Sequence, residues 1–135
     1  MGNFKTLWVW KEGIDFATEI YTITKNGAFK TDFGLSNQIQ RAVVSISSNI
    51  AEGEERDTNR QTVHFLRIAK ASNAEVFTQL QIAYNIGYID KATLERLEGT
   101  SNKLGFGLHK LIQKKGGYNV ANKFKWFILG LFIPL

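Results

Sequence analysis

Residues 37–56 read NQIQRAVVSISSNIAEGEER. Ile39, Val43, Ile46 and Ile50, with Leu35 just ahead of them, recur every three or four positions. That period puts all five on one face of an α-helix, which turns once in about 3.6 residues. Ala42, Ser45, Ser47, Ser48, Ala51 and Gly53 flank the stripe. Side chains this small let a second helix backbone come close. Arg41, Ser45, Ser48 and Glu52 follow at steps of four, three and four, a thin polar line beside the apolar one. A helix that is merely core has no need of that line, so this helix is expected to touch something besides its neighbours in the fold.

The same period continues on both sides. Residues 4–25 read as a first helix with Leu7, Trp10, Ile14, Ala17, Tyr21 and Thr24 on its apolar face, widened by Trp8 and Phe16. Asn26-Gly27 stops it, since both residues tolerate the left-handed backbone that ends helices. Residues 28–34 are expected to be loop, with Asp32 capping the helix at 35–54. Thr58 followed by Gln61 has the form of a capping box and opens a third helix that runs to residue 86. Its apolar sector holds Phe65, Leu66, Ala69, Asn73, Val76, Phe77, Leu80, Ala83 and Tyr84. Arg60, His64, Arg67, Ala71, Thr78 and Asn85 face the other way. Gly87 ends that helix and Asp90 caps a fourth, striped by Leu94, Leu97, Ser101, Leu104, Leu108 and Leu111. Gly105 and Gly107 each cost this helix about 1 kcal/mol against Ala, which is tolerable where neighbours press close. No stretch has the alternation of a strand. Amphipathic helices joined by short loops predict an all-α fold, an antiparallel up-down-up-down four-helix bundle over 1–115, followed by a tail at 116–135.

A chain of 135 residues with 44% hydrophobic and 21% charged residues suits one globular domain with one core. It has no cysteine, which excludes disulfides, thiolate metal sites and cysteine nucleophiles. The net charge of +5 is compatible with a polyanionic partner and names none. The start, MGNFKTLWVWKEG, has no signal-peptide pattern, so a cytoplasmic protein is expected. Gly2 and Thr6 fit the loose myristoylation pattern, which also arises by chance. The end, 126–135, reads WFILGLFIPL. It is too short for a bilayer, which needs about 20 residues. The fold, another subunit or a membrane surface must cover it, or the tail is foreign to the domain. A membrane partner is not expected.

Catalytic patterns are missing from the sequence. His64 and His109 fall on different helices, and neither belongs to an HExxH or a Glu-x-x-His pair. Gly105-Phe106-Gly107 follows no strand, the serines have no histidine in register, and Glu54-Glu55 are adjacent acids at a helix end. No enzyme activity, cofactor, metal or small-molecule substrate is therefore expected. What the sequence does offer is basic. Arg56, Arg60 and Arg67, with Lys70 at the edge, lie along the start and outer face of the third helix. Arg60 and Arg67 project the same way, about 10 Å apart along the axis. Such a stripe follows a phosphate backbone, or it is a solvated face partly paired with Glu54, Glu55 and Asp57. Spacing alone leaves both readings open. The aromatic residues are expected mostly to face the core, which withholds support from a single-strand reading.

Particular residues carry a resemblance. They are Leu7-Trp8-Val9-Trp10, Phe33-Gly34-Leu35 into Gln38-Ile39, Arg41-Ala42 and Ser48-Asn49-Ile50-Ala51-Glu52-Gly53. Phe65-Leu66-Arg67-Ile68-Ala69, Ala74-Glu75, Thr78-Gln79-Leu80 and Gly87-Tyr88-Ile89 follow. Over residues 7–113 the chain resembles the proteins encoded in intervening sequences of bacterial 23S ribosomal RNA genes, also labelled S23 ribosomal protein. That family includes the accessory variability proteins of diversity-generating retroelements. The resemblance implies a four-helix bundle assembled as a homopentamer, with no enzymatic activity. For the retroelement branch it implies a basic nucleic-acid-binding surface and a reverse transcriptase partner. Ser47 stands where the family often has Pro, Gln40 where a second Arg often precedes Arg41, and Ala71 where Gly is common. The resulting expectation is a non-catalytic, oligomeric accessory protein that binds RNA or DNA through Arg41, Arg56, Arg60, Arg67 and Lys70. The alternative is a structural or protein-interaction module that docks a partner enzyme such as a reverse transcriptase.

Overall fold

The structure, a computed structural model, describes residues 3–118. Gly2 of the myristoylation pattern and the apolar stretch 126–135 lie outside the described residues. Four helices follow one another: α1 (Trp8–Thr24), α2 (Phe33–Glu54), α3 (Asn59–Asn85) and α4 (Lys91–Lys114). Short 3-10 turns occupy Phe4–Thr6 and Gly27–Thr31. No strand occurs among the described residues.

The expected caps form. Asp32 accepts from Leu35 N at 3.0 Å, and Asp90 accepts from Thr93 N at 2.7 Å. Thr58 Oγ1 accepts from Gln61 N at 3.2 Å, the hydroxyl half of the expected box. Each satisfies a backbone donor that a helix start leaves without a partner.

Each helix packs on the next in sequence, and α4 closes back on α1. Polar pairs lock these seams. Gln40 donates to Thr24 Oγ1 at 2.9 Å across α1 and α2. Ser45 and Ser72 hydroxyls meet at 2.8 Å across α2 and α3, and Thr62 Oγ1 donates to the Gly53 carbonyl at 2.7 Å. Between α3 and α4, buried Asn73 and Ser101 exchange two hydrogen bonds, of 2.9 and 3.0 Å. The α1–α4 seam carries the ion pairs Arg96–Glu19 and, at 3.7 Å, Lys103–Glu12. At the α2–α3 and α1–α4 seams, successive pairs climb one helix as they descend the other. The close approach expected from small residues is found at Gly53, where a Cβ would sit 3.0 Å from the Thr62 carbonyl oxygen. Gly107 is likewise pressed by Trp8 and Val9.

The core runs the length of the bundle through Phe16, Ile20, Ile39, Ile46, Ile50, Leu66, Leu80, Leu97, Leu104 and Leu108, all fully buried. Each such side chain contributes about 1.5–3 kcal/mol by leaving water. The α2 and α4 stripes lie where the spacing puts them. The α1 stripe does not. Val9, Gly13, Phe16, Ile20 and Thr24 are its buried residues, while Ile14 is 42% and Tyr21 37% exposed. Helix α1 carries two apolar stripes about 100° apart, and the one with Gly13 is the one that lets α2 come close. Phe29, expected in loop, is buried at one bundle end, and Ser36 Oγ donates to its carbonyl at 2.7 Å. The polar line of α2 divides. Ser45 turns into α3, Glu52 pairs with Arg56, and Arg41 and Ser48 stay exposed. No helix among the described residues is long and apolar enough to cross a membrane.

Candidate nucleic-acid interface

The end of the bundle where α2 closes and α3 opens also receives the last turn of α4. There a cleft of about 1050 Å³ is lined by Arg56, Thr58, Arg60, His64, Phe65, Arg67 and Lys115 with Gly116 and Gly117. The cations differ in how they are held. Arg56 Nη2 pairs with Glu52 at 2.8 Å and its guanidinium lies over the Phe65 ring, 4.4 Å from the centroid. Lys115 pairs with Glu54 at 3.7 Å. Arg60 is exposed, without an acidic partner among the described residues. Arg67 Nη2 donates to the Gly117 carbonyl at 2.6 Å, a neutral acceptor that leaves its charge uncompensated.

The far wall of the cleft comes from the chain after α4. Gly116 takes a φ of +82°, which a side chain rarely permits. Gly116 N then donates to Gln113 O at 3.0 Å and Gly117 N to Ile112 O at 2.9 Å, the paired bonds that close a helix through a left-handed residue. The turn throws Tyr118 back across α3. Its hydroxyl accepts from Lys70 Nζ at 3.0 Å, and its ring stacks on His109 at 4.6 Å.

The structure thus brings Arg56, Arg60 and Arg67 to one cleft and puts Lys70 beside it, beyond Tyr118. Arg41 stands apart, exposed on α2 and about 20 Å back along the helix. Lys115, Gly117, Phe65 and Tyr118 were not singled out by spacing. The sequence Lys114-Lys115-Gly116-Gly117 was the available sign, since Gly-Gly after a helix turns the chain back and carries its neighbours with it. Local electrostatics reinforce the cations. Thr58, Arg60 and Gln61 of the α3 start line the cleft, and the cap, Thr58, is neutral. Anions are favoured at such a helix start.

The opposite end is built with acids. Tyr88 donates to Asp32 Oδ2 at 2.9 Å, tying the α3–α4 turn to the start of α2. The Leu35 amide and the Tyr88 hydroxyl hold the Asp32 carboxyl below its ordinary pKa, against a smaller opposing effect of desolvation. The same bond holds the Tyr88 hydroxyl above its own. Bonds from Thr93 lower Asp90 in turn. No group of three or more His, Cys, Asp or Glu among the described residues is placed to hold a metal ion.

Three comparisons bear on this geometry. A family model described as 23S rRNA-intervening sequence protein matches residues 5–110. A solved structure superposes with a TM-score of 0.72 at 26% identity, over 77% of this chain and 97% of that one. It is a protein of unknown function from the S23 ribosomal protein family of Bacteroides thetaiotaomicron VPI-5482. Comparison with curated proteins gives no match.

Proposed function

The chain belongs to the 23S rRNA-intervening sequence protein family, and on that premise we propose that it is a non-catalytic accessory protein that binds the phosphate backbone of a nucleic acid in the cleft at the start of α3. The observation that carries this is the convergence of Arg56, Arg60, Arg67 and Lys115 with a helix N-terminus in one cleft. Arg60 and Arg67, the cleft cations without an acidic partner among the described residues, make the main phosphate contacts. Arg56 and Lys115 add field while staying anchored to Glu52 and Glu54.

A titration with labelled RNA and DNA at low salt tests this. Log affinity falls with log salt at about 0.9 per phosphate contact, and the Arg60→Ala/Arg67→Ala variant has a slope shallower by about two. No affinity at low salt, or an unchanged slope in the variant, overturns the proposal. Exposed Ile68 and Ile82 on α3, with Ile86 just after it, favour a second role, contact with further protein, whether copies in a homopentamer or a partner enzyme such as a reverse transcriptase. Mass in solution distinguishes a pentamer from a monomer.

A further inference from the structure

Three aromatic rings in and near the cleft each have a cation close to the ring. Arg56 lies over Phe65. Arg67 and Lys70 lie 5.8 and 5.5 Å from the Tyr118 centroid. Lys110 Nζ lies 5.4 Å from the centroid of Phe106. Phe106 is 63% exposed, on a helix whose other face is core. Among the described residues the Lys110 side chain lies against that ring, and much of its area is open to a ligand. It borders a shallow groove of about 470 Å³ between α3 and α4 that Lys70, Asn73, Phe77, Thr78 and Asn102 also line. Lys70 of this groove and Arg67 of the basic cleft both lie against Tyr118, so that ring stands between the two. Arg60 to Phe77 spans about 25 Å of α3.

From these rings we infer that the ligand is a single-stranded nucleic acid, its phosphates on Arg60, Arg67 and Lys70 and one base stacked on Phe106. Duplex bases are already stacked on each other and present only edges. A separated strand offers ring faces, and rings set between cations along a groove match its alternation of base and phosphate. Lys110, exposed and flexible, reaches the phosphate of the base that takes the ring face. Polar Thr78 and Asn102 at the groove rim are placed to meet base edges without imposing one sequence. The inference rests on the phosphate-binding reading above and adds strandedness to it.

The test measures fluorescence anisotropy of the full chain with labelled RNA and DNA strands of about 12 nucleotides and with the matching duplexes. Single strands are expected to bind more tightly than duplexes. Phe106→Ala lowers single-strand affinity about tenfold and leaves duplex affinity unchanged, while Phe106→Tyr retains it. Phe106→Trp adds indole emission that the strand quenches beyond the wild-type response. Equal loss on strands and duplexes, or no loss in Phe106→Ala while Arg60→Ala/Arg67→Ala still weakens binding, overturns the stacking and leaves the phosphate site standing. A change of mass in solution without a change of affinity makes Phe106 a subunit contact and overturns it too. Absence of binding to every probe overturns both readings. The exposure of Phe106 means that its replacement spares the core, and circular dichroism verifies this.

Discussion

The two ends of this bundle solve the same problem differently, with carboxylates at one and a neutral hydroxyl at the other. Each end holds two helix starts and two helix stops, and each must satisfy the backbone donors of its starts. At the Phe29 end the caps of α2 and α4 are carboxylates, Asp32 and Asp90, which also compensate the positive pole of each helix. Tyr88 fastens one of them across the end. At the Arg60 end α3 has a neutral cap, Thr58, and three arginines gather around its opening turn and outer face. One end is closed by its own anions. The other has a neutral hydroxyl as the cap of α3, with Asp57 one residue before it.

Reversing the charge at the open end gives the largest effect. Arg60→Glu with Arg67→Glu replaces two phosphate contacts by two repulsions. Affinity for a labelled strand at low salt is expected to fall about 100-fold or more, about 2.7 kcal/mol. Both side chains are exposed, so stability is expected to stay within about 0.5 kcal/mol of wild type. The same reversal at Lys25 and Lys30, exposed cations of the closed end, leaves affinity unchanged. Equal loss from the two ends would mean that net charge, not the cleft, binds the ligand.

The fold was legible because its signals are local. The stripes of α2 and α4 and the caps Asp32, Thr58 and Asp90 depend on neighbours a few residues away. The stripe of α1 was misplaced because two apolar stripes compete there and only α2, through the close approach at Gly13, decides between them. The site was half legible for the same reason. Arg56, Arg60 and Arg67 share one helix start, whereas Lys115, Gly117 and Tyr118 arrive from fifty residues away through a turn at Gly116. Arg41 is basic and near in sequence yet lies on another part of α2. The expectation that aromatics mostly face the core did not hold for Phe33 and Phe106; the neighbours of Phe106 at three and four, Asn102, Lys103, His109 and Lys110, are all polar and mark it as outward.

The closed end is the one that pH opens. Asp32 has a lowered pKa, so its ionised form stabilises the fold fully above the ordinary carboxylate value. That contribution is lost as pH falls from about 4 through the lowered value. Tyr88 has a raised pKa, so its neutral form stabilises the fold below the ordinary phenol value, and the contribution is lost as pH rises above about 10. Thermal unfolding followed across pH is expected to show both declines. Tyr88→Phe lowers stability between them and removes the alkaline decline that the Tyr88–Asp32 bond causes, while Asp32 keeps its cap on Leu35 and hence part of the acid decline. Nucleic-acid affinity at neutral pH is unchanged by Tyr88→Phe, since the bond lies at the other end. An alkaline decline that survives in Tyr88→Phe would assign it elsewhere.

The smallest change is the one that makes the ends alike. Thr58→Asp installs at α3 the cap chemistry of α2 and α4. The carboxylate still accepts from Gln61 N, and an anion at a helix start adds about 0.3–1 kcal/mol, so Tm rises slightly. The same carboxylate stands in the cleft beside Arg56 and Arg60, occupying the field that the phosphate would meet. Affinity is expected to fall about threefold to tenfold, with a shallower salt slope. Thr58→Ala is the counterpart. It removes the cap, costs about 1 kcal/mol of stability and leaves affinity and slope near wild type. The two variants therefore move stability in opposite directions, and only the one that adds charge touches binding. If Thr58→Asp raises Tm and spares affinity, the neutral cap is an accident of sequence and the open end owes its ligand to the arginines alone. If both variants weaken binding in proportion to lost stability, the cleft depends on the rigidity of the first turn of α3, and charge is secondary there.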